Sequence, residues 1–431
     1  MAFGVSKRLV VLVSVLLLTA PIVFAQSQAT TGVIEGRVTD QSDAVLPGAT
    51  VVLTNVETNQ ERTLIADESG RYRGVLLPLG QYRVAASLQG FASQIKEGIE
   101  LGVGQTLTIN FVLAPGAFED EIIVQAETPL VQTSRTDNAV AVGEDAMFGL
   151  PNNGRNFVKF MNLTPGVGIV QGPDAEEITV NGQKGIQNNV MVDGADFNNP
   201  FFGEQRGGQR PAFTFNIDAV QEMVVVADGA PAEFGRASAG FVTVVTKSGT
   251  NDFRGTAHLF YQDDSLKSEA KRQDGSTEPK FPSERVQGGF TIGGPLMRDK
   301  LFFFTALDVQ RGESTKQEDP DRIEQRVVDA LASLGAPDEN GPINRTDDNE
   351  VFLAKVDWQP TNNHLATARY TYTNTEQDNG TFDVDSWGRS ANAVEKDSSW
   401  SLGGSLVSTI GDNKLNEFRL QYAFEDRPRP Y

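Results

Sequence analysis

The sequence predicts a mainly β protein in three parts: an N-terminal β-sandwich, a small α+β domain, and the first strands of an incomplete antiparallel transmembrane β-barrel. Three observations predict this. The 42 Gly and 20 Pro residues punctuate the chain at short intervals, as turns between strands require. Apolar and polar residues alternate with period two at both ends of the chain, the pattern of sheets whose two faces meet different surroundings. Helical periodicity is confined to short stretches.

The 431 residues include 57 acidic and 37 basic ones, for a formal net charge of −20. Phosphate binding needs clustered Lys and Arg to release counterions, so no nucleic-acid partner is expected. Cysteine is absent, which removes disulfides, thiolate zinc sites and iron–sulfur clusters. The two histidines, His258 and His364, lie far apart in sequence, so no metal site is expected. No Gly-x-x-x-x-Gly-Lys-Ser/Thr loop and no nucleophile–base pair is present, so no cofactor and no catalytic residue is expected either.

Residues 1–25 read as an export signal. Lys7 and Arg8 precede an apolar run over residues 9–18, Pro21 breaks it, and Val23 and Ala25 are small residues before a cut ahead of Gln26. The alternative is a retained membrane helix, but the run is only about half of the ~20 apolar residues that spanning needs. Removing Lys7 and Arg8 takes the formal charge from −20 to −22.

Residues 31–115 alternate in short strands. Val33-Ile34-Glu35-Gly36-Arg37-Val38 leads to Pro47-Gly48, Asp67-Glu68-Ser69-Gly70 turns into Arg71-Tyr72-Arg73, and Pro78-Leu79-Gly80 turns into Gln81-Tyr82-Arg83-Val84. Near-regular spacing with Gly and Pro between strands argues a small sandwich. The residues Gly36-Arg37-Val38, Pro47-Gly48-Ala49, Asp67 to Tyr72 and Gly80-Gln81-Tyr82 resemble the carboxypeptidase regulatory-like domain, of the carbohydrate-binding-like fold. That resemblance implies no peptidase activity, since zinc peptidases need ligand groups that His258-Leu259-Phe260-Tyr261 does not supply. A spacer role is favoured over sugar binding, because a fold alone licenses no site.

Residues 118–127 hold a β-branched stretch, Glu121-Ile122-Ile123-Val124-Gln125-Ala126, flanked by acidic residues after Pro115-Gly116. An exposed extended segment of this kind can add as a strand to another protein's sheet. A plain linker has the same composition.

Residues 129–248 carry Leu150-Pro151-Asn152-Asn153-Gly154-Arg155-Asn156-Phe157, Ile178-Thr179-Val180-Asn181-Gly182 and Asn189-Val190-Met191-Val192-Asp193-Gly194. They continue with Ile217-Asp218-Ala219-Val220-Gln221-Glu222, Glu233-Phe234-Gly235-Arg236 and Phe241-Val242-Thr243-Val244-Val245-Thr246. Asn181-Gly182 and Asp193-Gly194 fit hairpin turns, and residues 242–246 fit a buried strand. Together and in this order the pieces resemble the plug domain of TonB-dependent outer-membrane receptors, in the Oar-like branch with an N-terminal sandwich. The resemblance implies that Glu121 to Ala126 is the TonB box, which pairs with the periplasmic energiser TonB. It implies ligand contact at an apical plug loop with Phe201, Phe202, Arg206, Arg210 and Phe213, and a plug–barrel latch from Glu233 and Arg236.

Residues 249–431 alternate as a lipid-facing wall does. Ala366, Ala368, Tyr370 and Tyr372 oppose Thr367, Arg369, Thr371 and Thr373; Phe418, Leu420, Tyr422 and Phe424 oppose Glu417, Arg419, Gln421 and Glu425. Trp400, Leu402 and Leu406 repeat the split, and further strands fall at residues 254–263, 286–294, 301–310 and 352–358. One face meets lipid and the other a wet lumen. Gly288 to Pro295 with Asp299 to Phe304 also resembles the first barrel hairpins of the Oar-like family. At about 26 residues per strand, a plugged barrel of 22 strands needs on the order of 570 residues, so an N-terminal fragment without transport of its own is expected. Ile323, Val327, Leu331 and Leu334 mark one short amphipathic helix closed by Gly335. The acidic runs Asp347-Asp348-Asn349-Glu350 and Asp383-Val384-Asp385 read as solvated loops in preference to Ca²⁺ sites.

The resemblance implies an exported chain in a Gram-negative outer membrane. Its partners are then TonB, outer-membrane lipid and an extracellular siderophore, oligosaccharide or peptide. The alternative is a non-transporting surface protein whose sandwich binds glycans in adhesion.

Overall fold

Short β-branched runs between turn residues fold as strands along most of the chain. The structure, a computed structural model, describes residues 30–116, 121–125, 138–152, 154–171, 176–199, 216–230, 234–269, 271, 275–277, 280–316, 321–380, 388–411 and 414–428. The export signal, Asp383 and Asp385 lie outside them.

The first unit contains β1 (Gly32–Asp40), β2 (Thr50–Asn55), β3 (Glu61–Ile65), β4 (Arg71–Leu77), β5 (Gly80–Ser87), β6 (Ser93–Leu101), β7 (Thr106–Thr108) and β8 (Phe111–Leu113). One sheet runs β4-β1-β7, with β8 parallel to the far half of β1. The other runs β3-β2-β5-β6 and ends on β9 (Glu121–Gln125). Alternation sets the inner faces: in β5, Tyr82, Val84 and Ala86 are buried while Gln81 and Arg83 are exposed. Ile34, Val38, Val51, Leu53, Tyr72, Ile99 and Phe111 fill the space between the sheets. Glycine is required at position 36, where a Cβ would lie 1.9 Å from the Ile109 carbonyl oxygen.

The middle unit contains β10 (Asn138–Gly143), α1 (Glu144–Gly149), β11 (Val167–Gln171), β12 (Glu176–Val180), β13 (Asn189–Val192), β14 (Ala195–Asp196), β15 (Val220–Asp228) and β16 (Phe241–Thr246). Its sheet runs β10-β15-β16-β13-β14, with only β13 and β16 parallel. Every residue of β16 is buried. The strand is central and covered on both faces, which is why its sequence after Phe241 is an unbroken β-branched run without charge. Val242 and Val244 pack in one core with Phe304, Ala306 and Leu353 of the wall, while Phe241 and Val245 pack in another with Val103 of the sandwich. Both expected turns are present, with φ of +52° and +76° at Asn181-Gly182 and +48° and +71° at Asp193-Gly194, the signs of type I′. None of α1, β10 and β11 is marked by the pattern of the sequence.

The third unit is one antiparallel sheet of seven consecutive strands. They are β17 (Arg254–Asp263), β18 (Ser283–Met297), β19 (Leu301–Lys316), β20 (Ile343–Thr361), β21 (His364–Gln377), β22 (Glu395–Ile410) and β23 (Lys414–Asp426). It is not closed: β17 and β23 are its two edges. Leu402, Phe418, Leu420, Tyr422 and Phe424 stand exposed on the outer face, and Arg369, Thr371, Thr373 and Ser401 are buried on the inner one. The strands are longer than the apolar alternation suggested, because polar residues extend β19 and β20 beyond the alternating stretch. Short connections at residues 298–300 and 362–363 lie at one end of the sheet. The sandwich sits there: Asn59 donates to Asp299 at 2.8 Å and Arg62 to the Thr409 hydroxyl at 2.8 Å.

Two local expectations are corrected. Asp347 to Glu350 do not form a loop; they lie in β20, where alternation turns Asn349 inward and leaves Asp348 and Glu350 to pair outside with Arg311. The helix exists as α2 (Gln325–Ser333), with Gly335 at φ +87°, but it buries Val328 and leaves Val327 and Leu334 exposed. Ile323 and Leu331 of the predicted stripe are half-buried, so the buried face is shifted from Val327 toward Val328. No helix among the described residues is long and apolar enough to cross a membrane.

Candidate functional site

The middle unit meets the inner face of the wall through buried charges. Asp193 occupies the left-handed position of the β13–β14 turn, which aims its carboxylate at the wall. That carboxylate accepts hydrogen bonds from the Thr246 N–H at 2.8 Å and the Thr246 hydroxyl at 2.7 Å. From the wall, Arg369 Nη1 reaches it at 2.9 Å and Lys355 Nζ stands at 3.8 Å. Both cations also donate to backbone, Arg369 to Val192 O at 2.6 Å and Lys355 to Thr246 O at 3.1 Å. Burial pushes the Asp193 carboxyl up, but Lys355, Arg369 and Thr246 outweigh it and hold it below the usual carboxylate value.

A second cluster lies around Asp218, in the short turn Ile217–Ala219 that Asn216 caps. Arg155 Nη2 is 2.7 Å from its carboxylate, and the guanidinium rests 4.8 Å over the Phe260 ring. His258 of β17 stands between two carboxylates, with Nδ1 at 2.8 Å from Asp218 and Nε2 at 2.9 Å from Asp308 of β19. The Nε2 contact is a hydrogen bond, whereas Nδ1 is a close charge contact without hydrogen-bond alignment. His258 thus turns one ring nitrogen toward each carboxylate. The resulting row, Arg155–Asp218–His258–Asp308, crosses from the middle unit to the wall. Gln287 closes it by donating to Asp308 at 3.2 Å. For Asp218 burial again pushes upward, and His258 and Arg155 outweigh it, leaving the carboxyl below its ordinary value.

Below these clusters a cavity of about 370 Å³ lies between plug, wall and sandwich, with Asp193, Lys355, Lys247 and Arg419 on its lining. Among the described residues no three His, Asp or Glu side chains gather as a metal site.

Of the site residues expected from sequence, Glu121 to Gln125 form β9, and Ala126 lies outside the described residues. The segment is extended, but it has a packing partner that the sequence did not suggest, since it pairs in parallel with β6. Phe201, Phe202, Arg206, Arg210, Phe213 and Glu233 all lie outside the described residues. Arg236 pairs with Asp196, within the middle unit. The residues that do join plug to wall were not singled out. Asp193 read as a turn residue, His258 entered only as a failed zinc ligand, and Arg369 was placed on the inner face without a partner.

Three stretches match known families: residues 33–114 the carboxypeptidase regulatory-like domain, 134–242 the TonB-dependent receptor plug domain, and 245–321 an outer membrane beta barrel domain. Sandwich, plug and wall in this order define a TonB-dependent receptor of the outer membrane. Within that class the similarity is to the Oar-like branch. Over 311 residues it is 28% identical to the TonB-dependent transporter Oar of Myxococcus xanthus, covering 69% of this chain and 28% of the relative. It thus spans less than a third of that relative's length. Among solved structures, the outer membrane transporter YddB of Escherichia coli is 14% identical, with a TM-score of 0.48 over 67% of this chain and 38% of that one. The siderophore receptor PirA of Acinetobacter baumannii is 17% identical, with a TM-score of 0.47 over 70% and 42%.

Proposed function

We propose that the chain serves in an energised outer-membrane receptor, which captures a ligand outside and admits it when TonB pulls on the plug. The observation that carries this reading is the seating of the plug. A folded domain stands against the inner face of a wall whose outer face is apolar, and buried ion pairs hold it there. Such an attachment is firm at rest and has a few discrete points at which it can be broken. In this reading Glu121 to Ala126 is the TonB box and Phe201 to Phe213 faces the ligand, with Glu233 and Arg236 aiding the latch. The working units are the export signal at 1–25, sandwich at 31–115, box at 118–127, plug at 129–248 and wall from 249. The ligand is a siderophore, oligosaccharide or peptide, and the activity is transport, not catalysis. No observation favours the adhesion reading.

Uptake in a strain that expresses the full-length gene tests the proposal. With each ligand class offered in turn, deletion of residues 121–126 is expected to abolish uptake and leave surface binding intact. Uptake that survives the deletion refutes energisation through this segment.

A further inference from the structure

The segment assigned to the energiser is not a free tail. β9 is the last strand of the sandwich's sheet, parallel to β6, with Ser93 opposite Glu121, Ile95 opposite Ile123 and Glu97 opposite Gln125. Its tether is short, since β8 ends at Leu113 and β9 starts at Glu121, so the strand re-pairs within its own chain whenever it is released. One row of its backbone N–H and C=O groups faces β6. The other row points away from the sheet, and no strand lies beyond it among the described residues. Ile122 is 46% exposed, Ile123 62% and Val124 37%, so both faces of the strand are apolar and open. Soluble proteins protect such an edge with a charge, a proline, a bulge or a cover. Residues 122–124 have no charge and no proline, and their pairing with β6 runs without a bulge.

We propose that the sandwich stores the energiser segment as a ready-made edge strand, and that a basic strand of the energiser adds to its free edge while β9 stays on β6. This rests on the reading of residues 121–126 as the energiser segment. Addition uses the unpaired row and leaves the existing ladder intact. Capture by stripping has to break that ladder first and then compete with an intramolecular partner. Glu119, Asp120 and Glu121 precede the apolar residues, and they select a basic partner strand. The mechanical consequence is that a pull reaches the sandwich before the plug. The sandwich is itself fastened to the plug, where the Val103 N–H donates to Glu222 at 2.8 Å.

The chain contains no cysteine, so Ile95→Cys with Ile123→Cys places one disulfide in register and locks β9 to β6. Binding of the purified C-terminal domain of the energiser to the full chain is then measured with the pair oxidised and reduced. The proposal expects equal affinity in both states, within about twofold. Affinity lost on oxidation and regained with reductant overturns it, because β9 must then leave the sandwich. In the chain without cysteines, Ile122→Gly, Ile123→Gly and Val124→Gly together are expected to weaken binding at least about tenfold. Unchanged binding in that variant overturns the underlying assignment instead. If the disulfide does not form, amide exchange in the unmodified chain decides the same point: β6 amides keep their protection on binding if β9 stays, and lose it if β9 leaves.

Discussion

On the Asp193 carboxylate two hydrogen bonds from Thr246 of the plug meet two cations of the wall, Arg369 at 2.9 Å and Lys355 at 3.8 Å. Asp193→Asn leaves Arg369 and Lys355 buried against a neutral amide, which is expected to destabilise plug seating by about 3 kcal/mol. Protease protection of the plug against urea in the full-length receptor measures this. The acid response has a definite sign. A carboxyl whose folded pKa lies below its unfolded value of 3.8 contributes stability above that value and loses it as pH falls through the folded one. Asp193 and Asp218 are both depressed, so plug seating is expected to hold at neutral pH and to weaken below about pH 4. Asp193→Asn is expected to shrink that acid step. At His258 the prediction concerns coupling. Removing the ring leaves Asp218 and Asp308 facing each other, so a cycle of His258→Ala and Asp308→Ala is expected to show about 1–3 kcal/mol of interaction. Additive losses would mean that the bridge contributes nothing.

At the scale of elements, local chemistry was legible wherever it was self-contained. The turns at Asn181-Gly182 and Asp193-Gly194 follow from residues that tolerate positive φ, and β16 from an unbroken β-branched run. What depended on a distant partner was not legible. Alternation placed Arg369 on the inner face, but nothing in one sequence says that a turn 176 residues earlier supplies its carboxylate. β9 shows the same limit, because its sequence says strand and its partner β6 is fixed only by the fold of the sandwich. α2 shows a subtler one: a spacing of four residues defines a stripe, and a neighbouring stripe fits nearly as well until the wall's loops choose between them. The choice can be checked. Val328→Asp is expected to cost about 2–3 kcal/mol and to raise amide exchange across residues 325–333, whereas Val327→Asp is expected to be nearly neutral.

For the whole molecule the deciding question is which solvent bathes the outer face of the seven-stranded sheet. In water, the row Phe418, Leu420, Tyr422 and Phe424 would be an open apolar strip beside Leu402 and Leu406, and such patches mark a surface made to be covered. In lipid the same row is the proper boundary, and the acidic charge of the chain belongs on the lumen face, the loops and the sandwich. The two environments give opposite results for one substitution. Leu420 lies near the middle of β23 and is 67% exposed. In a water-exposed sheet Leu420→Arg is neutral, because an exposed arginine stays hydrated. In a membrane wall it places a charge near the bilayer midplane, at about 2–4 kcal/mol. Outer-membrane assembly of the full-length receptor, followed by heat-modifiable mobility on gels, is therefore expected to fall in Leu420→Arg. It is expected to stay unchanged in Gln421→Arg, whose side chain turns to the lumen beside Asp196. Equal assembly of both variants would place this face of the wall in water.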